Sequence, residues 1–256
     1  MSIVLVVFCT LLITLRLLQH KFHPNPELVR KLFHTGMGLF TLSLPWLFTE
    51  SWPVLVMCGV IVSLLCAVRW IEVLHRLFGS VLGGVARCSH GEIYFSIGVA
   101  ILFVLTRDDQ VVYLAAILPL TLADSAAALI GKRFGKNHYQ WFSKQKSIEG
   151  SLTFLIVAIA CIYAPLSTIA KIESATAVLI AITAGLVLTL IEAICLRGLD
   201  NLFIPLAAYF LLSDLRSRTN DELILLLLIE SLITIAFTFA LIRKIQIRKH
   251  RKAVTV

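Results

Sequence analysis

Apolar residues run through this chain in blocks of about 15 to 22, separated by short polar stretches. The blocks fall near residues 2–18, 27–49, 52–69, 91–106, 111–131, 148–166, 175–196, 200–213 and 222–242. A hydrocarbon core of about 30 Å takes about 20 helical residues to cross. The pattern therefore predicts an all-α fold, a polytopic integral membrane helical bundle of about nine transmembrane helices. Two long polar stretches, 70–90 and 132–147, are expected loops, and no internal repeat or low-complexity segment interrupts the series. The whole chain, 1–256, reads as a single membrane domain with a basic tail at 243–256.

Basic residues test the parse, because loops on the cytoplasmic side of a membrane protein collect Lys and Arg. Apart from Arg16 inside the first span, one side receives Lys21, Arg30, Lys31, Arg69, Arg76, Arg87, Lys132, Arg133, Lys136, Lys144, Lys146, Arg197, Arg243, Lys244, Arg248, Lys249, Arg251 and Lys252. The other receives Arg107, Lys171, Arg216 and Arg218. Eighteen against four places the N-terminus outside and the C-terminus in the cytoplasm. The first span has no early basic region or small-residue cleavage site and is expected to be a retained helix.

Composition agrees with a membrane protein: 59% of residues are hydrophobic, 15% are charged, and the mean hydropathy is +0.91. The formal charge of +8 follows the helix ends, so it reads as a topology signal with attraction to anionic headgroups of the lipid bilayer, and no nucleic acid partner is expected. Cys9, Cys58, Cys66, Cys88, Cys161 and Cys195 are scattered without a CxxC pair. Neither a zinc site nor a disulfide framework is expected.

The chemistry-bearing residues gather on the basic face. Asp124 lies in an apolar block, where an uncompensated acid costs about 2.5–3.5 kcal/mol, so it needs a partner, a cavity or a task. Asp124, Ala128, Gly131 and Gly135 are spaced to share one helix face, with the acid roughly 10 Å below Gly131. Lys132, Arg133, Lys136 and Lys146 surround the following turn, and Ser147, Glu149 and Gly150 open the next helix, whose free N–H groups attract phosphate oxygens. Plainer accounts stand beside this one: small residues pack helices, basic residues anchor topology, and Ser147 caps a helix.

Three further clusters map to the same face. Arg30, Lys31 and His34 share a helix face after Asn25-Pro26, a cap followed by a first-turn proline. They read as a phosphate clamp beside a proton acceptor, or simply as a basic helix end. Arg87, Ser89, His90, Gly91 and Glu92 lead into the fourth span, where Glu92 suits the helix dipole. Glu192 is a second buried acid, followed by Arg197, Gly198, Asp200, Asn201 and Pro205. Asp124, Glu149, Glu192 and Asp200 together are an expected ligand set for Mg²⁺ bridging nucleotide phosphates.

These segments resemble the polyprenol kinase superfamily, which includes phytol, farnesol and dolichol kinases and CTP-dependent diacylglycerol kinase. The resemblance spans about residues 28–212 and rests on RKLFH (Arg30, Lys31, His34), DSAAALIGKRFGK (Asp124, Gly131, Gly135, Lys136), KSIEGS (Lys146, Ser147, Glu149, Gly150, Ser151) and GLDNLFIP after an acid (Glu192, Gly198, Asp200, Asn201, Pro205). The phytol kinase branch is the most similar. Two positions depart from it: Gln145 stands where a second lysine is usual, and Ile148 where Trp is frequent.

The resemblance implies an enzyme with a lipid-kinase-like core at 28–212, a CTP donor, a lipophilic alcohol acceptor and Mg²⁺. Lys132, Lys136 and Lys146 with the glycines and Ser147 would cradle the nucleotide, Arg30 and Lys31 would steady phosphate, and Asp200 or His34 would accept the hydroxyl proton. CTP:phosphatidate cytidylyltransferases share the first half of this pattern, but their late PGHGG…DRxD signature is replaced here by GLDNLFIP. A transporter or scramblase would use Asp124 and Glu192 as ion ligands, yet calls for repeats and two-sided polarity. An inactive scaffold is the remaining alternative.

Overall fold

The computed structural model describes residues 2–82, 90–141, 144–195 and 198–254; Arg87, Cys88, Ser89 and Arg197 lie outside them. The apolar blocks fold as helices α1 (Ser2–Phe22), α2 (Pro26–Thr41), α3 (Leu44–Leu47), α4 (Ser51–Trp70), α6 (Gly91–Leu105), α7 (Gln110–Leu118), α8 (Asp124–Phe134), α9 (Ile148–Thr168), α10 (Ser174–Ile194), α11 (Asp200–Leu215) and α12 (Asn220–Val254). Between α4 and α6 runs α5 (Glu72–Leu82). An all-α membrane bundle is the architecture, with a small hairpin added.

Nine spans are not confirmed. Among the described residues five helices are long and apolar enough to cross a membrane: 51–70, 110–134, 148–168, 174–194 and 220–243. The predicted second span breaks after Thr41, where Pro45 lacks a donor for the ladder and only the four-residue α3 follows. Helix α6 has 15 residues and α11 has 16. At 1.5 Å per residue these reach about 22–24 Å, short of a full hydrocarbon layer.

Both polar stretches expected as loops carry structure. The first contains α5, an amphipathic helix flanked by exposed Trp70 and Ile71 and exposing Val73 and Leu77, a composition suited to a membrane–water boundary. The second begins with the last turn of α8 and then forms an antiparallel hairpin of β1 (His138–Trp141) and β2 (Lys144–Ser147), pairing Tyr139 with Lys146. Tyr139 is buried while His138 is exposed, the alternation expected of a strand with one covered face.

The core lies where α9 packs on α7, α8 and α10, and where α6 packs on α4 and α11. Tyr113 is fully buried and its O–H donates to the Thr41 carbonyl at 2.9 Å, so its polar end is satisfied. Exposed Leu152, Ile156, Phe203, Phe210, Leu228 and Leu232 stud the outside, as lipid-facing side chains do. Between α7 and α8 the chain makes one π-helical turn, Pro119–Ala123, closed by the Asp124 N–H donating to the Pro119 carbonyl. Proline has no N–H, which removes one α-type bond and lets the turn widen.

Candidate active site

Side-chain contacts tie the four polar clusters to one end of the bundle. Lys132 Nζ donates to Asn25 Oδ1 at 2.8 Å, joining the end of α8 to the start of α2. Lys146 pairs with Glu192, joining the hairpin to the end of α10. Asn201 Nδ2 donates to the Gly91 carbonyl at 2.7 Å, joining the starts of α11 and α6. Arg69 Nη1 lies 2.9 Å from His90 Nδ1 at the end of α4. The opposite end holds its own set, Arg107 with Glu50 and Arg216 with Asp109.

Asp124 has the partner its burial demands. It is 6% exposed and forms an ion pair with Lys31, itself 4% exposed, so both charges leave water together. Lys31 Nζ also approaches the Asp124 carbonyl at 3.4 Å. His34, one helical turn on, places Nε2 at 3.2 Å from the Leu120 carbonyl and 3.8 Å from Asp124 Oδ2. A carbonyl only accepts, so this contact puts the proton on Nε2 and leaves Nδ1 as the basic nitrogen. The π turn is what aims both groups: it presents the Leu120 carbonyl and sets Asp124 at the start of α8.

Gly38 of α2 faces this turn. A Cβ there would run into the Thr121 side chain, so glycine is what lets α2 approach closely enough for Lys31 to reach Asp124. Thr35 Oγ1 donates to Ser125 Oγ at 2.8 Å along the same seam.

The second buried pair is Lys146 with Glu192, each side chain 8% exposed. Lys146 donates to both the carboxylate and the backbone carbonyl of Glu192. Glu192 Oε2 is buried without a hydrogen-bond partner. Tyr139, opposite Lys146 in the hairpin, shares a 2.7 Å hydrogen bond with Ser151 Oγ. Strand β2 thus delivers one lysine to a helix end 46 residues away.

Ser147 acts as the N-cap of α9, accepting from the Gly150 N–H at 3.1 Å. Glu149 accepts from the Asn137 N–H and Nδ2, both at 3.1 Å, and so fastens the loop before the hairpin. Lys136 is exposed beside it. Gly131 and Gly150 carry the contact between α8 and α9: a Cβ on Gly131 would sit 2.9 Å from Ser147 Oγ, and one on Gly150 would sit 3.0 Å from the Ala127 carbonyl. Gly135 abuts Ser147 in the same seam. The glycine stripe thus brings α8 and the first turn of α9 close together.

Gly131→Ala is accordingly expected to destabilise the protein by about 1–3 kcal/mol through overpacking, read as a lower thermal midpoint in detergent. Gly59→Ala is the control, since nothing lies within 4 Å of a Cβ at Gly59. It is expected to be neutral or to stabilise by up to about 1 kcal/mol.

Asp200 is buried in the first turn of α11, where its Oδ1 lies 3.2 Å from the Asn201 N–H. Glu92 and Arg30 lie within electrostatic reach of each other. The acids expected to hold Mg²⁺ are not gathered into one cage. Asp124 and Glu192 are paired with lysines and Glu149 is held by Asn137. Among the described residues no three His, Cys, Asp or Glu side chains form a group that could hold a metal ion. Acids at this depth take the nearest lysine, because an unpaired charge there is worse than a filled pair. Among the described residues Glu192 Oε2 is the one buried carboxylate oxygen at this end without a hydrogen-bond partner, and a single carboxylate suits an ion whose other ligands are phosphates and water.

One element of the site carries no sequence signal. Beside His34 opens an apolar cleft walled by Phe8, Phe33, Leu65 and Phe95, with Glu92 and Ser96 at the same level. The His34 ring meets Phe95 edge to face at 5.0 Å. His34 therefore stands between a buried ion pair and a hydrocarbon-lined space.

No protein-family model matches the chain, and no solved structure matches it. Among curated proteins, it is 30% identical over 190 residues to a phytol kinase of Synechocystis sp., a match covering 71% of this chain and 76% of that one. It is 29% identical over 147 residues to CTP-dependent diacylglycerol kinase 1 of Schizosaccharomyces pombe, covering 54% of this chain and 66% of that one. With its buried acids, basic helix ends and membrane bundle in place, the chain belongs to the polyprenol kinase superfamily of membrane lipid kinases, on its phytol kinase side.

Proposed function

We propose that this protein is a membrane lipid-alcohol kinase that transfers the terminal phosphoryl group of CTP to a prenol such as phytol or to a related alcohol such as diacylglycerol. The observation that carries the reading is the junction at His34, with the Lys31–Asp124 pair on one side and the apolar cleft on the other. A hydroxyl at the end of a hydrocarbon tail suits that junction. The names of the two relatives support the acceptor class and the donor.

Phosphoryl transfer asks mainly for positioning and for charge to meet the moving oxygens. Lys132, Lys136 and Lys146, with the first turn of α9, are the groups we assign to the triphosphate. Arg30 and Lys31 steady phosphate on the cleft side. The lipid oxygen bonds to the terminal phosphorus, the bond to the bridging oxygen breaks, CDP leaves, and the hydroxyl proton passes to His34 Nδ1. Asp124 holds Lys31 and sets the field at His34, while Asp200 is the alternative proton acceptor. Mg²⁺ bound to the nucleotide would neutralise phosphate charge, with Glu192 Oε2 as its protein acceptor. Eighteen basic residues against four argue for a cytoplasmic site, an outer N-terminus and a cytoplasmic C-terminus.

Purified protein given CTP labelled at the γ or the α phosphate tests the reading. Label from the γ position is expected on the lipid, with CDP as co-product. Label from the α position, released with pyrophosphate, would mean cytidylyl transfer and refute it. So would an absence of transfer from CTP, ATP, GTP and UTP to phytol, farnesol, dolichol and diacylglycerol alike.

A further inference from the structure

The cleft at His34 does not end there. A second lobe shares Met37, Ile61, Phe95 and Ser96 with the first and continues to Met57 and Val99. Both lobes are narrow and partly open, so a guest larger than a water enters only as the lining side chains move. The lining steps along three helices in concert, from His34 to Thr41 on α2, from Leu65 to Cys58 on α4, and from Glu92 to Val99 on α6. Each step is seven residues, so the lobes are stacked over about 10 Å along the helix axes, leading away from the polar end.

The walls contain two hydroxyls, and both are spent on their own helices. Thr41 Oγ1 donates to the Gly38 carbonyl at 2.7 Å, and Ser96 Oγ donates to the Glu92 carbonyl at 3.1 Å. Below His34 and Glu92 the lining thus offers no side-chain hydroxyl proton to a ligand. An ester carbonyl moved from water into such a space loses its hydrogen bonds, whereas a plain hydrocarbon loses nothing. Met37 and Met57 are flexible thioethers that re-pack around a guest.

Resting on the kinase reading above, we infer that the cleft between α2, α4 and α6 takes the head-proximal stretch of a single-chain lipid alcohol. Its hydroxyl lies at His34, and the waist formed by Met37 and Ile61 sets chain selectivity. The remainder of a long tail leaves into the bilayer. A prenol fits this description, and a diacylglycerol, with two chains and two ester groups, does not.

Ile61→Trp fills the waist and is expected to raise KM for phytol about tenfold or more, while KM for CTP stays within about twofold. Ile61→Ala opens the waist and is expected to raise kcat/KM for diacylglycerol relative to phytol. Wild-type protein exposed to a prenol bearing a diazirine near its hydroxyl should be labelled on α2, α4 or α6, and excess phytol should suppress the labelling. This last measurement holds even where Ile61→Trp fails to fold. An active wild type labelled elsewhere, or with KM for phytol unmoved by both substitutions, overturns the cleft and leaves the kinase standing. A wild type inactive toward every alcohol overturns the kinase, and the label still reports whether the cleft takes a prenol.

Discussion

Asp124→Asn is expected to lower phosphoryl transfer by about 10²–10⁴-fold, the range for removing a group that acts on the reacting centre. Loss of activity alone would not assign a role, because the substitution also strands Lys31 as an unpaired charge that is 4% exposed. Removing one member of a buried pair destabilises by about 3–5 kcal/mol. The double substitution Lys31→Met with Asp124→Leu removes both charges and is expected to be neutral or stabilising, by up to about 4 kcal/mol. Its thermal midpoint should return to that of the wild type or exceed it, with transfer still absent. A double variant that regains transfer would show the pair to be scaffold, and an active Asp124→Asn would remove the acid from the mechanism.

Lys146→Ala is expected to be comparably damaging, for a reason that reaches the hairpin as well as the chemistry. The lysine is the side chain by which β2 holds the end of α10, so its loss leaves both Glu192 carboxylate oxygens buried without a partner. Amide exchange over 138–147 should accelerate, reporting an opened hairpin. Lys146→Met with Glu192→Gln removes the buried charge and should restore protection without restoring transfer. Transfer surviving in that double variant would rule out a phosphate-binding role for Lys146.

Much of this was legible in the chain because hydrocarbon leaves few choices. An acid at Asp124 demands a partner, and the spacing of Arg30, Lys31 and His34 puts all three on one helix face. Their meeting was not legible, since Lys31 and Asp124 are 93 residues apart and nothing local names the pairing. Asp124, Ala128, Gly131 and Gly135 were readable as a small-residue face, and the structure uses the glycines to seat α9. Glu149 reads from the sequence as a metal ligand, and in the structure Asn137 supplies the donors that an acid in a first turn readily accepts. The hairpin left a trace in the alternating His138-Tyr139-Gln140-Trp141, which is shorter than the segments that announce a strand. The cleft left none, because Met37, Ile61 and Phe95 are ordinary span residues and a void exists only once three helices are placed.

The π turn at Pro119–Ala123 divides the helix of 110–134 into two parts with separate duties. Residues 110–118 are gripped by α9 and α11, while Asp124 and the glycine face begin just after the turn. Each residue advances an α-helix by about 100°, so deleting one residue within 119–123 would swing Asp124 about 100° away from Lys31 without disturbing the gripped part. The turn is a vernier between anchor and chemistry. A length change at that point would therefore re-aim the acid and break the glycine seam that α8 shares with α9, so the reach of Lys31 and the seating of α9 both depend on this one turn.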